Sequence, residues 1–347
     1  MNLRVRLLLA SSLVALAACG SSSSGGPSGA AGSSNDGGET IGDMDAGGGT
    51  STSPGSPSSP SSSGSTGSSG AGGSSSGSSG GGTSSSSSGA GATSGDASAP
   101  ASRKRGLAYG SNSNADLAAL SKGIGWWYNW SSSPDSTLTA DWTSSGVEYV
   151  PMIWGGTFNT TTLATQVPAS AKYLLTFNEP NFGAQSNLTP QQAAALWPQI
   201  EAFAASKNLK IVSPALNYCG GSCNETNPFT WLTDFFAACT GCRVDYIGAH
   251  WYACTKSALQ GYLSDYETKF TQDIWLTEFS CLDGSLAATD ANEETYMTAA
   301  LALLECDPRI FRYSWFTGRS TGSPAISVLG DSGVLTALGQ SYVTLPQ

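Results

Sequence analysis

Two glutamates in this chain have the types and settings to do chemistry together. Glu179 ends the run Leu174-Leu175-Thr176-Phe177-Asn178-Glu179-Pro180-Asn181, and Glu278 ends Ile274-Trp275-Leu276-Thr277-Glu278-Phe279. Short apolar runs of this kind read as buried strands, so each carboxylate stands where a strand leaves the core. Parallel α/β folds keep their functional groups at that edge. Two carboxylates from separate strands, among ten Trp, twelve Tyr and one His, fit an acid and a nucleophile in a polysaccharide cleft. The expected chemistry is glycoside hydrolysis.

The rest of the pattern asks what positions them. Apolar runs recur at 106–109, 125–129, 149–153, 173–177, 210–213, 246–250, 274–277 and 311–315. Helical spacing follows several of them, as at Leu259, Tyr262, Leu263, Tyr266 and Phe270, and Asp290 with Glu293 reads as a capping box ahead of Tyr296, Met297, Ala300, Leu301 and Leu304. Strands alternating with helices imply a parallel sheet. Eight units in 242 residues, with no glycine-rich phosphate fingerprint after any strand, point to an α/β fold that is a single (β/α)8 TIM barrel. Counting places Glu179 after the fourth strand and Glu278 after the seventh. Pro198 is expected to kink or split the helix at 190–206, and the helix between the third and fourth strands is the thinnest.

The first third of the chain has a different character. Arg4 and Arg6 precede the apolar stretch 7–18, which ends in Leu16-Ala17-Ala18-Cys19. The stretch is too short for a permanent spanning helix and reads as an export signal over 1–19. It resembles a lipoprotein signal, which implies lipidation of Cys19. Residues 20–102 are nearly all Ser, Gly, Thr, Ala and Pro, without an aromatic ring. Such a segment cannot bury enough surface to fold, and reads as a disordered, flexible tether to a catalytic domain at 103–347. The expected location is the outer membrane or cell surface of a bacterium, or secretion. The only membrane contact would be the lipid.

Net charge is −10, which argues against nucleic acid or an anionic membrane surface as partner. Seven cysteines follow Cys19. Export favours disulfides over a zinc site: Cys219 and Cys223 are close in sequence, as are Cys239 and Cys242, and Cys254 with Cys281 makes a plausible bridge between loops. Cys306 is then left free, buried in a helix. With one His and no carboxylate pair at ligand spacing, neither metal nor cofactor is expected.

The runs Thr176-Phe177-Asn178-Glu179-Pro180-Asn181, Ala249-His250-Trp251-Tyr252, Trp275-Leu276-Thr277-Glu278-Phe279 and Arg312-Tyr313-Ser314-Trp315-Phe316 resemble glycoside hydrolase family 128, the Asl1-like catalytic domain. The resemblance extends over 106–347. It implies a retaining (β/α)8 enzyme acting inside β-1,3-glucan, with Glu179 as general acid/base and Glu278 as nucleophile. Asn178 is placed to meet the sugar 2-hydroxyl, and His250 to orient a carboxylate or a sugar hydroxyl. Tyr252 is a candidate partner of the nucleophile. Trp154, Trp251 and Trp315, each at a strand exit, are candidate sugar platforms, with Asn129 and Tyr109 as further substrate-binding candidates. Along the second strand, Trp126 and Tyr128 should face the opposite way from Trp127, and 217–227 should form a stapled loop over the cleft. A monomer is expected. A surface lipoprotein that binds glucan without cleaving it is the rival outside the enzymes; another glycosidic linkage is the rival within them.

Overall fold

The computed structural model describes residues 102–283 and 288–347. The export signal, Cys19 and the tether up to residue 101 lie outside the described residues. The strands are β1 (Ser102–Ala108), β2 (Ile124–Tyr128), β3 (Glu148–Tyr149), β4 (Met152–Ile153), β5 (Tyr173–Asn178), β6 (Lys210–Ala215), β7 (Ile247–Ala253), β8 (Ile274–Asp283) and β9 (Ile310–Phe316). The helices are α1 (Asn114–Leu120), α2 (Thr160–Gln166), α3 (Pro190–Ser206), α4 (Pro228–Ala238), α5 (Lys256–Lys269), α6 (Asp290–Cys306) and α7 (Ala337–Thr344), with a 3-10 turn at Ala140–Ser145 between β2 and β3.

Every strand pairing is parallel. Six strands run in the order β3-β2-β1-β9-β8-β7 and three in the order β4-β5-β6. Parallel bridges Val212–Tyr246 and Leu216–Ala249 join β6 to β7. The third expected strand is broken in two at Val150-Pro151. Proline has no N–H for the ladder, and the chain there passes from one sheet to the other: Val150 N–H donates to Trp127, and Pro151 C=O accepts from Leu175. The α/β architecture is thus a ring of parallel strands with helices outside, consistent with a (β/α)8 TIM-like barrel.

Alternation along the strands sorts side chains between two cores. Ala108, Trp126, Tyr128, Met152, Leu175 and Trp275 fill the inside of the ring. Trp127, Leu276, Phe279, Tyr313 and Trp315 point outward under the helices. Trp126 and Tyr128 do face the opposite way from Trp127. The floor of the ring, at the strand starts, is closed by rings around Arg312, whose guanidinium lies 4.6 Å from the Tyr173 centroid and 4.9 Å from that of Trp275. Arg312 is neutralised by Glu148 at 2.7 Å. Gly106 is required here, because a Cβ would stand 2.3 Å from the Trp126 ring.

Some local expectations change. α3 runs unbroken past Pro198, so that proline does not split it. α6 is capped by Thr289, which accepts from Asn292 N–H, and Glu293 is not a capping residue: it turns inward and accepts from the Cys281 N–H. Burial of that carboxyl, only partly offset by this hydrogen bond, raises its pKa to about 7. The three expected disulfides form, Cys219–Cys223, Cys239–Cys242 and Cys254–Cys281. Cys306, expected to be free, is disulfide-bonded.

Candidate active site

The strand ends opposite the aromatic floor gather the polar groups. Glu179 follows β5 directly. Glu278 lies inside β8 rather than beyond it, since the strand continues to Asp283. Strict alternation from Trp275 would turn Thr277 inward and Glu278 outward. The ladder slips here: Ala249 pairs with Leu276, but His250 pairs with Glu278. The extra residue is a bulge, and it re-aims Glu278 into the ring.

Glu179, His250 and Glu278 then form one buried group, with one ligating atom from each all within 4.8 Å of one another. His250 Nδ1 is 2.9 Å from Glu179 Oε1, and its Nε2 is 3.5 Å from Glu278 Oε1. Glu278 accepts from Tyr128 Oη at 2.9 Å and Trp130 Nε1 at 2.7 Å, both on Oε1, and from Tyr252 Oη on Oε2. Burial and the two carboxylates push the Tyr128 and Tyr252 hydroxyls well above the ordinary tyrosine range, so both remain donors. Burial pushes the Glu179 carboxyl up, the His250 hydrogen bond and charge pull it back, and the Glu278 charge pushes it up again; the net direction is upward. Burial lowers His250, but Glu278 and Glu179 outweigh it and hold the imidazole above its usual pKa.

The backbone carries strain at the same place. Glu179 has φ 40° and Trp130 has φ 57°, a left-handed region that costs a side-chain-bearing residue about 1–2 kcal/mol. At Glu179 the bend is held by N–H donation to Ala215 and acceptance from Phe182. The loop at 217–227, stapled by Cys219–Cys223, braces this turn: Asn181 Nδ2 donates to Asn217 and Glu225 carbonyls, and Asn224 Nδ2 to that of Pro180.

Beside the carboxylates opens a cleft of about 500 Å³ lined by Trp130, Trp154, Phe158 and Ser186 among others. Trp154 is 37 % exposed. Asn178 reaches Gln185 through Nδ2 at 3.2 Å, while its buried Oδ1 has no hydrogen-bond partner among the described residues. Other expected contacts do not lie here. Trp315 is fully buried, donates to the Ile326 carbonyl and packs on Phe279, so it offers no face to a sugar. Trp251 packs on Tyr262 at 4.6 Å beneath the helices. Each alternates with an inward neighbour, Trp251 with His250 on β7 and Trp315 with Phe316 on β9, and period-two counting turns both out. Asn129 is committed to the loop, donating to Asp135 and accepting from Tyr149. Tyr109 stands by Arg319 and Gly318. Tyr128 and Trp130 were not among the expected site residues. Alternation from Trp126 reaches Tyr128 and, one step past the end of β2, Trp130, where a left-handed turn sets the aim of the indole.

Two carboxylates and an imidazole are also metal-ligand chemistry. Glu278 already accepts from three protein donors, an environment that supports an anion without a cation. What the arrangement offers is one carboxylate held rigidly by three donors beside a second, buried carboxyl whose pKa is raised.

The profile of the family described as Glycosyl hydrolase catalytic core matches residues 106–342. Alkali-sensitive linkage protein 1 of Schizosaccharomyces pombe (strain 972 / ATCC 24843) is 32% identical over 258 residues, which are 70% of this chain and 45% of that protein. The chain thus spans less than half the length of this curated relative. A glycoside hydrolase family 128 (subgroup II) endo-β-1,3-glucanase from Sorangium cellulosum is 47% identical with a TM-score of 0.67, covering 70% of this chain and 99% of that one. A subgroup I endo-β-1,3-glucanase from Amycolatopsis mediterranei, solved with laminaritriose, is 29% identical with a TM-score of 0.58, covering 71% of this chain and 100% of that one.

Proposed function

Because the chain belongs to glycoside hydrolase family 128, we propose that it cleaves β-1,3-glucan within the polymer by double displacement, with Glu179 as general acid/base and Glu278 as nucleophile. The observation that carries this is the approach of the two carboxylates to within 4.8 Å. Retaining sites hold such groups about 5–5.5 Å apart, whereas inverting sites open to about 6.5–9.5 Å to admit a water.

In the first step a Glu278 oxygen forms a bond to the anomeric carbon as the bond to the leaving oxygen breaks. The electron pair goes to that oxygen, which takes the proton from Glu179. Burial and the Glu278 charge favour a protonated Glu179 before this step. Ester formation removes the Glu278 charge and with it one influence holding the proton, so Glu179 becomes the better base for the water of the second step. Asn178 Oδ1 supplies an unengaged acceptor for the 2-hydroxyl, and the exposed Trp154 ring a platform for a sugar face. Neighbouring structures named as endo-β-1,3-glucanases, one of them with laminaritriose, support the linkage. The whole would be an exported monomer, tethered by lipid on Cys19 or, where that thiol is paired instead, secreted.

Proton NMR of the first products from laminarin, with product lengths over time, tests the reading. Short-chain products appearing at once with β-anomers first are expected. Glucan binding in a gel without oligosaccharide release would leave the non-catalytic binder, and cleavage confined to β-1,4 or β-1,6 glucan would overturn the linkage. Loss of membrane partitioning in a Cys19→Ala variant tests the anchor.

A further inference from the structure

We infer that Trp130 is a positioning residue for the nucleophile, which together with Tyr128 occupies Glu278 Oε1 and leaves Oε2 as the oxygen that attacks. The inference rests on the glycosidase reading above.

Each carboxylate oxygen has two lone pairs in the carboxylate plane. On Oε1 one faces the Tyr128 O–H at 2.9 Å and the other the Trp130 N–H at 2.7 Å. Both are engaged. Among the described residues Oε2 accepts from Tyr252 alone, so one lone pair there is open. That pair forms the bond to the anomeric carbon while the electrons of the breaking bond leave with the glycosidic oxygen and the Glu179 proton. Two donors from the end of β2 and one from β7 fix the plane of the carboxylate, which confines the attack direction.

The sequence spends an unfavourable backbone conformation to bring the indole there. Trp130 sits at φ 57°. Asn129 Oδ1 accepts from Ser131 N–H at 3.3 Å, spanning Trp130, and from Tyr149 Oη at 2.7 Å. Its Nδ2 donates to Asp135 Oδ1 at 2.8 Å and Ser133 O at 3.1 Å. Asn129 therefore acts through Trp130, aiming it rather than touching sugar. The ring is wedged between Tyr128 and Phe316, with centroids at 5.4 and 5.9 Å, and it also lines the cleft beside Trp154. Its face and its N–H thus have separable roles.

Replacing the indole by benzothiophene, through incorporated benzothienylalanine, keeps the ring and removes the N–H; Trp130→Phe is the second variant. Both are compared with wild type and Glu278→Gln for laminarin kinetics, for thermal unfolding, and for the rate at which a 2-deoxy-2-fluoro-β-laminaribiosyl fluoride labels the enzyme, read by intact mass. Loss of one charge-assisted hydrogen bond predicts labelling and kcat about 10- to 100-fold slower, with KM within about twofold because the benzothiophene retains the wall. Labelling at the wild-type rate would overturn the inference. So would a raised KM with unchanged kcat, which would make Trp130 a sugar platform only. If wild type itself neither hydrolyses laminarin nor is labelled, the glycosidase reading fails with it; if wild type is active, Glu278→Gln inert and the benzothiophene enzyme unimpaired, only the role of Trp130 falls.

Discussion

Truncating Glu278 to alanine gives a sharp test of which glutamate does what. The carboxylate is 4 % exposed and accepts from Tyr128, Trp130 and Tyr252. Its removal leaves a small hole with those donors directed into it, and the Trp130 N–H has no means of accepting instead. A buried donor left unpaired costs about 1–3 kcal/mol, while removal of a buried charge offsets part of that, so Glu278→Ala should fold with a modest loss of thermal stability. Without a nucleophile, turnover should drop on the order of 10,000-fold or more. The same hole suits a small anion. Azide added to the variant with an aryl β-laminaribioside should restore part of the turnover and yield the α-glycosyl azide, because it attacks from the face Glu278 occupied. Glu179→Ala with azide should instead give the β-azide, from attack on an intact glycosyl-enzyme. Proton NMR coupling at the anomeric carbon separates the products. A β-azide from Glu278→Ala, or an α-azide from Glu179→Ala, would reverse the assignment.

Glu179→Gln should slow laminarin cleavage by about 100- to 10,000-fold yet leave the labelling step with a dinitrophenyl glycoside near wild type, since that leaving group needs no proton; equal losses on both substrates would refute the acid role. Activity should fall as pH rises through the Glu179 pKa, which is raised by burial, lowered by His250 and raised by Glu278. His250→Asn removes a lowering influence, so the alkaline limb of its pH–kcat/KM profile should move to higher pH, and a downward move would contradict the geometry. Burial raises the Asp116 carboxyl, but the Arg319 guanidinium and the Gly333 and Ser113 N–H groups outweigh it and hold it below its usual pKa. The stability this provides is complete above the unfolded carboxylate pKa and is lost as pH falls through the lower folded value. Arg319→Met should therefore cost about 3 kcal/mol near pH 7 in urea unfolding, the low end for breaking a buried pair because Arg319 is 29 % exposed. That deficit should shrink toward pH 3; a constant deficit would show that packing, not charge, was lost.

The strand and helix rhythm is legible because burying one stripe of each element imposes a period, and the period survives in Leu174 to Phe177 and Ile274 to Leu276 as apolar runs. Three disulfides, Cys219–Cys223, Cys239–Cys242 and Cys254–Cys281, are legible from spacing, whereas the bonding of Cys306 is not. The break at Val150-Pro151 is less so, although Pro151 marks where a ladder bond is missing. Glu293 misleads: its place ahead of an apolar periodic stretch looks like a cap, but the Cys281 N–H inside the domain competes for the carboxylate and takes it.

The site divides along the same physical line. Tyr128, His250 and Tyr252 follow from alternation, since each is two residues from an inward neighbour or from another of the set. Position at a strand exit points Trp251 and Trp315 to the cleft, but the parity that points His250 inward turns Trp251 outward, and Trp315 likewise lies under the helices. Three features lie outside the regular strand pattern: the bulge that turns Glu278 inward, the left-handed backbone of Glu179, and that of Trp130, which shares the parity of Trp126 and Tyr128 but stands beyond the end of β2. All three break a local rule, and all three act on the carboxylate pair. Regular strands would carry Glu278 to the helix side of the sheet and leave the Trp130 indole far from it. The apolar pattern therefore finds which strand ends carry the two carboxylates, whereas the orientation of their oxygens is set by hydrogen bonds between separate segments, such as Asn129 to Tyr149 and Glu179 to Ala215, that no strand-length window of sequence contains.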